Sequence, residues 1–188
     1  MDKKTYLNYL KLFGFSFYND DLYIDKSFKI NNIDDCKLCN LYKLKENFYK
    51  NQTKKAKIFI LSDYNLGEDF AKELDLILKS NLNLNIKNIY FSSIVKCSNN
   101  YKKDNLAKCY QYSLNEIIES EASIIILLGE NLKNILQLEN FNIGDIIFYT
   151  LNGKKIKILI NYSFYFIKKN PSYEIEFINN LKKLKEEV

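Results

Sequence analysis

Short apolar runs alternate with longer amphipathic stretches along this chain. Apolar and β-branched runs predict strands over 57–62, 88–96, 123–128, 145–150 and 155–162. Apolar residues at helical spacing predict helices over 4–18, 68–80, 104–120, 130–138 and 172–186, with Asp104 capping the third. Alternating strands and helices are typical of right-handed crossover connections. The pattern therefore predicts an α/β fold, a three-layer sandwich with a mostly parallel central sheet.

The length and the apolar content favour one globular unit. The chain has 188 residues, of which 47% are hydrophobic, so we expect a single domain over 1–188 with a helical extension over 1–33. The longest apolar run, Ile124 to Leu128, is far shorter than the roughly 18–20 residues of a membrane helix. The N-terminal stretch lacks a small-residue cleavage site. We expect a cytoplasmic monomer without membrane contact.

The charged residues narrow the chemistry. The net charge is +5, every basic residue is a lysine, and the chain has no histidine. A Ser-His-Asp triad, a Cys-His pair and a histidine-ligated zinc site are therefore excluded. A positive net charge is compatible with a nucleic-acid partner, although a lysine-rich composition accounts for it equally well.

Four cysteines are the most informative residues. Cys36 and Cys39 form a C-x-x-C pair in CKLC, and Cys97 and Cys109 lie in KCSNNYKKDNLAKC. A disulfide is not expected in a cytosolic chain, and a thioredoxin-type pair would need a strand before its first cysteine. Four thiolates suit a tetrahedral zinc ion or a [4Fe–4S] cluster, and the spacing does not choose between them. Unconnected core cysteines are the remaining interpretation.

The order of the segments resembles the iron–sulfur (family 4) uracil-DNA glycosylases. CKLCNLYK is similar to the family's CxxCxLxxxR, and KIFILSDYNLGED stands where the family has a strand followed by GExPGxxED. IYFSSIVKCSNN resembles a strand ending in TNVVKCRPPxN. KCYQYSLNEIIESEASIIILLGENLKNIL resembles CxxYLxxQIxxxxPxxIxxLGxxAxxxL, and SFYFIKKNP resembles HPxxLLRNP. The resemblance spans residues 34–185.

The resemblance implies a uracil-DNA glycosylase-like fold, a role in DNA repair and DNA as the partner. It implies a [4Fe–4S] cluster, with zinc as the alternative, held by Cys36, Cys39, Cys97 and Cys109. Lysines near the cysteine loop and in the HP-like segment become candidate phosphate contacts: Lys96, Lys102, Lys103, Lys168 and Lys169.

The chain departs from the family at the catalytic positions. Ser93 stands in place of an asparagine, Ser163 in place of a histidine, and the GExPG loop keeps only a carboxylate, Asp63. Phe70 is the candidate base-stacking residue. Loss of one oxyanion-stabilising donor typically costs about two to three orders of magnitude in rate. We therefore expect conventional uracil excision to be impaired or lost.

Three functions follow from these residues. The first is a DNA-binding iron–sulfur member of the superfamily without the usual catalysis. The second is an active DNA base glycosylase of altered chemistry, hydrolysing an N-glycosidic bond, in which Asp63 orients water while Ser93 and Ser163 contact the base. The third is a metal-stabilised interaction protein with no DNA role. DNA binding separates the first from the third, and base release identifies the second.

Overall fold

The computed structural model describes residues 36–46, 48–49, 55–136, 138, 140–151 and 153–185. Its strands are β1 (Ile58–Ser62), β2 (Tyr90–Ser93), β3 (Ile124–Leu128), β4 (Ile146–Leu151) and β5 (Lys154–Asn161). Its helices are α1 (Glu68–Leu82), α2 (Lys103–Glu119), α3 (Leu132–Ile135), α4 (Phe164–Lys169) and α5 (Glu174–Lys182). Three short 3₁₀ turns cover Asn40–Lys43, Ile86–Asn88 and Pro171–Tyr173.

The strands form one mostly parallel sheet. Their order is β2-β1-β3-β5-β4, and only the pairing of β4 with β5 is antiparallel. Every residue of β1 and β3 is buried, as expected for parallel strands that are covered on both faces. The prediction of an α/β fold with a mostly parallel central sheet is confirmed.

Helices cover both faces of the sheet. Alternate residues of each strand pack in two different hydrophobic clusters, one on each face. Phe59 and Leu61 of β1 pack in a cluster with α2 residues such as Leu114. Ile58 and Ile60 pack on the opposite face, in a cluster that includes residues of α1 and α5. Strand residues point alternately to the two faces, so one apolar run fills both cores.

Most predicted elements differ from the structure by a residue or two at their ends, and the helix predicted over 130–138 is reduced to α3, Leu132–Ile135. Two of the differences have a visible cause. β2 stops at Ser93 instead of residue 96, because its partner β1 ends at Ser62; the Ile94 N–H donates the last ladder bond, to the Ser62 carbonyl at 2.9 Å. α2 begins one residue early, and Asp104 lies in its first turn and does not cap it. The Lys102 backbone N–H instead donates to Asn105 Oδ1 at 2.9 Å.

The only proline separates two helices near the end of the chain. The helix predicted over 172–186 is observed as a 3₁₀ turn that begins at Pro171 followed by α5, and α4, which ends before the proline, was not predicted. Proline has no N–H to donate and disfavours a helical conformation in the residue before it, so a helix ends at this point. The predicted helix 4–18 and the extension 1–33 lie outside the described residues. Within the described part of the chain, no helix has the length and apolarity needed to cross a membrane.

Candidate functional site

The parallel strands end at one level, which we call the carboxyl edge of the sheet. Ser62 at the end of β1 is paired with Ser93 of β2 and with Leu128 of β3, and Leu128 is paired with Asn161 of β5. The loops that leave this edge carry Asp63 after β1, Gly129 after β3 and Ser163 after β5. Open parallel sheets bind their ligands in this position.

Asp63 is buried without full compensation of its charge. The residue is only 7% exposed, and its Oδ1 atom has no hydrogen-bond partner among the described residues. Burial raises the pKa of this carboxyl group from 3.8 to about 6, while the Ser163 hydroxyl and the backbone N–H groups of Asp63 and Tyr64 lower it in part. A carboxyl group with this pKa exchanges a proton near neutral pH, as a general acid or base must.

Ser163 lies beside this carboxyl group but does not bind it well. Its hydroxyl is close enough to lower the pKa of Asp63. The same hydroxyl is buried and has no hydrogen-bond partner among the described residues. It therefore influences the charge of Asp63 without forming a full hydrogen bond to it, because the field of a dipole reaches further than hydrogen-bond geometry allows. The structure thus brings together Asp63 and Ser163, two of the predicted site residues. Among the described residues, Asp63 Oδ1 and the Ser163 hydroxyl both have no hydrogen-bond partner.

The backbone of Gly129 lies directly against the Asp63 side chain. Its φ of +137° lies in a region that side chains rarely adopt, and an added Cβ would lie 2.5 Å from Asp63 Cγ and 2.6 Å from Oδ2. The backbone reinforces this contact, since the Asp63 N–H donates to the Leu128 carbonyl at 3.0 Å. Only glycine permits both the conformation and the close approach.

Three tyrosines, which we call the tyrosine group, flank Asp63. Tyr64 stacks on Tyr165 with the ring centroids 4.7 Å apart, and Tyr101 packs against Tyr64 at 6.0 Å. The Tyr101 hydroxyl donates to the Asp63 carbonyl at 2.7 Å. Phe70, the predicted stacking residue, instead packs edge-on against Phe164 at 6.2 Å. The aromatic rings that contact one another beside Asp63 are those of the tyrosine group, which the motif comparison did not single out.

Ser93 is bonded within a polar network. Its hydroxyl donates to Asn65 Oδ1, and the Asn65 amide donates to the Val95 carbonyl at 2.7 Å. Asn99 completes the network, because its Oδ1 accepts the Asn65 backbone N–H at 2.7 Å and its own amide donates to the Asn65 carbonyl at 3.0 Å. This network joins the loop after β1 to the loop after β2. The network engages the Ser93 hydroxyl, which the sequence analysis assigned to base contact.

The two halves of the cysteine set are held side by side. The Glu46 backbone N–H donates to the Cys97 carbonyl at 3.1 Å, and the Ser98 hydroxyl donates to the Glu46 carboxylate at 2.5 Å. Leu41, which follows the C-x-x-C pair, packs in the same hydrophobic cluster as Cys97 and Cys109. None of the four cysteines is in a disulfide.

The four thiols share one neighbourhood around α2. The pKa of the Cys109 thiol is raised to about 11, mainly by burial; a hydrogen bond from the Lys96 backbone N–H opposes the increase, and Cys39 and Cys97 add to it. Burial likewise raises the pKa of Tyr112, and the nearby Cys36, Cys97 and Cys109 thiols add to that increase.

The donor set fits a thiolate-bound metal, although the side chains do not close around a point. In the part of the chain that the structure describes, no three Cys, Asp or Glu side chains are placed closely enough to hold a metal ion. Electrostatic influence extends further than coordination, so this result is compatible with the effects of the cysteines on the pKa values of Cys109 and Tyr112. Four thiolates without a carboxylate among them are the donors that zinc and [4Fe–4S] groups take.

Two of the predicted phosphate-binding lysines form ion pairs with glutamates, and two others are exposed. Lys96 forms an ion pair with Glu116 at 2.5 Å, and its side chain is only 10% exposed. Lys168 pairs with Glu73 at 2.6 Å. Lys102 is exposed just before α2, and the exposed Lys169 ammonium lies 4.4 Å from the centroid of the Tyr165 ring. Lys103 is the first residue of α2.

Comparison with known proteins adds no relative to this geometry. No protein-family model matches the chain, and no curated protein matches it significantly. Five residues of the site were not predicted from the sequence: Tyr64, Asn65, Asn99, Tyr101 and Tyr165. All but Tyr165 lie in the loops that directly follow β1 and β2, and polar loop residues at that position are the signal that would have pointed to them.

Gly129→Ala is expected to lower the free energy of unfolding by about 3 kcal/mol or more, because the new Cβ is both strained and overlapping with Asp63. Urea denaturation of the purified variant measures this change. Gly67→Ala is the matched control, since an added Cβ there meets nothing within 4 Å, and a loss of about 1 kcal/mol or less is expected. Equal losses in the two variants would contradict the close approach of Gly129 to Asp63.

Asp63→Asn is expected to stabilise the protein near neutral pH. The pKa of Asp63 is raised in the folded state, so its favourable contribution is full below pH 3.8 and is lost as the pH rises through about 6. Removing the charge should therefore gain about 1–3 kcal/mol at about pH 7.5 and almost nothing at about pH 4. Thermal unfolding at both pH values tests this, with Asp69→Asn at an exposed carboxylate as the control. A gain independent of pH would contradict the burial of a charged Asp63.

Proposed function

We propose that this chain is an iron–sulfur member of the uracil-DNA glycosylase superfamily that binds DNA and has impaired or lost the usual uracil excision. The observation that carries the proposal is the proximity around α2 of cysteines from distant parts of the chain. Cys39 and Cys97 are close enough to raise the pKa of the Cys109 thiol, and Cys36 is close enough to raise that of Tyr112 in the same helix. The ordered motifs of the sequence support it independently.

Cys36, Cys39, Cys97 and Cys109 would hold a [4Fe–4S] cluster, or zinc as the alternative. Bound there, such a group would tie the C-x-x-C segment to the loop after β2 and to α2. Cys109 is protonated at neutral pH in the metal-free chain, because burial raises the pKa of its thiol to about 11. Metal binding would therefore release a proton at this residue.

The carboxyl edge offers a surface for the DNA backbone. Lys102 directly follows Tyr101, and Lys169 lies over the ring of Tyr165, so exposed ammonium groups accompany two members of the tyrosine group. Lysine ammonium groups neutralise phosphates and release counterions. Lys96 contributes to the fold instead, since it is committed to Glu116.

The hydrogen-bond donors that the family uses for uracil excision are missing from this chain. The chain has no histidine, and the Ser93 hydroxyl is given to Asn65. A short hydroxyl cannot replace an amide that both donates and accepts toward a base. With these donors gone, the stabilisation of a uracil anion is reduced by orders of magnitude.

A second function, base excision of altered chemistry, is favoured by one observation. Asp63 combines deep burial, an unbonded Oδ1 and a pKa of about 6. A carboxylate so placed could orient water toward the sugar carbon of a flipped nucleotide. The tyrosine group would then supply the stacking surface that the sequence assigned to Phe70.

Duplex DNA should bind in a salt-dependent manner that depends on the carboxyl edge. Lys102→Gln and Lys169→Gln are each expected to reduce the slope of log affinity against log salt by about 0.9, the value of one phosphate contact. Lys79→Gln, which removes the same charge in the last turn of α1, should leave the slope unchanged. Fluorescence anisotropy of a labelled duplex over a salt series measures all three variants.

The outcomes separate the three functions. No salt-dependent binding, or equal effects of all three lysines, would contradict the DNA proposal and leave a metal-stabilised interaction protein. Incubation with duplexes that carry altered bases identifies the second function if free base is released and Asp63→Asn abolishes the release. DNA binding without base release is the result that the proposal predicts.

A further inference from the structure

A second surface of interest lies at the opposite end of the sheet from Asp63. A groove of about 270 Å³ is lined by lysines 57, 155 and 157 together with Ser123 and Phe148; we call it the basic groove. Lys57 and Ser123 directly precede β1 and β3, whereas Asp63 directly follows β1. The five residues of β1 therefore separate the groove from the carboxyl edge, by roughly 17 Å.

Strand pairing places the aromatic ring and two of the lysines on one face of the β4–β5 hairpin. Phe148 is paired with Lys157, and Thr150 with Lys155, so that the four side chains stand on the same side. Phe148 is 76% exposed, and the Lys157 ammonium lies 4.9 Å from the centroid of its ring. The neighbouring residue Ile147 points to the other face and is buried.

The charge of the groove is not balanced by nearby carboxylates. No acidic residue lines it. The Glu121 carboxylate, one strand end away, is occupied by Lys55 at 2.6 Å. Among the described residues, neither Lys57 nor Lys155 belongs to an ion pair. Two ammonium groups and an aromatic ring are thus presented together on an open sheet surface.

We propose that the basic groove binds single-stranded nucleic acid. Lysines along a groove follow the phosphates, and an exposed aromatic ring stacks on a base, which are the two parts of sequence-tolerant single-strand recognition. A duplex cannot use Phe148 this way, because its bases are already stacked on one another. A second copy of the chain fits poorly, since a two-fold contact would bring the lysine rows together. This surface is independent of the cysteines and of Asp63.

The test is the binding of labelled oligothymidine, about 15 nucleotides long, by fluorescence anisotropy. Phe148→Ala is expected to weaken binding about 5- to 100-fold through loss of stacking, and Phe148→Tyr to retain most of it. Lys155→Gln should lower the salt slope by about 0.7. Leu76→Ala, at a 63% exposed apolar residue of α1, and Lys79→Gln are the matched controls.

The variants distinguish this surface from the carboxyl edge. Phe148→Ala is expected to leave duplex affinity and metal content unchanged, so that either nucleic-acid proposal can fail alone. Unchanged oligothymidine affinity in Phe148→Ala, or an equal loss in Leu76→Ala, would overturn the inference. If Phe148→Ala instead dissociates a dimer in light scattering while oligothymidine affinity stays the same, the groove is an interface between two copies and the proposal is wrong.

Discussion

The common register of the parallel strands brings Asp63, Gly129 and Ser163 together at one edge of the sheet. Ser62, Ser93, Leu128 and Asn161 end their strands at one level, and the polar loops all leave from that level. A shift of one strand by one residue would exchange its inner and outer side chains, and it would separate Asp63 from Gly129. The aliphatic interior on both faces therefore maintains the geometry of the edge, although its leucine and isoleucine side chains take no part in chemistry.

The edge carries an energetic cost that the rest of the fold must offset. Asp63 is buried beside a hydroxyl that does not bind it fully, and Gly129 adopts a conformation open almost only to glycine. Buried polar groups in a folded protein are normally satisfied. The unsatisfied carboxyl oxygen beside Gly129 and the tyrosine group is the feature on which the proposed base-excision role of Asp63 depends. In the neighbouring network, by contrast, Asn65 and Asn99 satisfy each other.

Local patterns in the sequence were sufficient for the architecture. The runs KIFILS and SIIILL predict β1 and β3 because fully buried parallel strands need continuous apolar residues, and both strands are present with nearly the predicted ends. The end of β2 was harder, because Ile94 and Val95 are apolar and β-branched yet lie in the loop, where they are buried in the core. Apolar pattern alone cannot distinguish a residue buried in a strand from one buried in a loop.

The site was only partly predictable, because its decisive contacts join distant residues. Asp63, Ser163 and the four cysteines could be named from the sequence, since each type has its own chemistry. The roles of Ser93 and Lys96 depended on Asn65 and Glu116, which lie 28 and 20 residues away. No local pattern contains that information. The exposure of Phe148 was equally hidden, because strand alternation does not say which face a helix leaves open.

The central claim is that the four cysteines hold an iron–sulfur cluster, and metal content tests it most directly. Protein purified without oxygen should contain about four irons per chain and absorb broadly at about 400 nm, and both should be lost in Cys97→Ala. One zinc per chain without colour would contradict the cluster and weaken the superfamily assignment. Protein with neither metal would return the four cysteines to a purely structural role in the core.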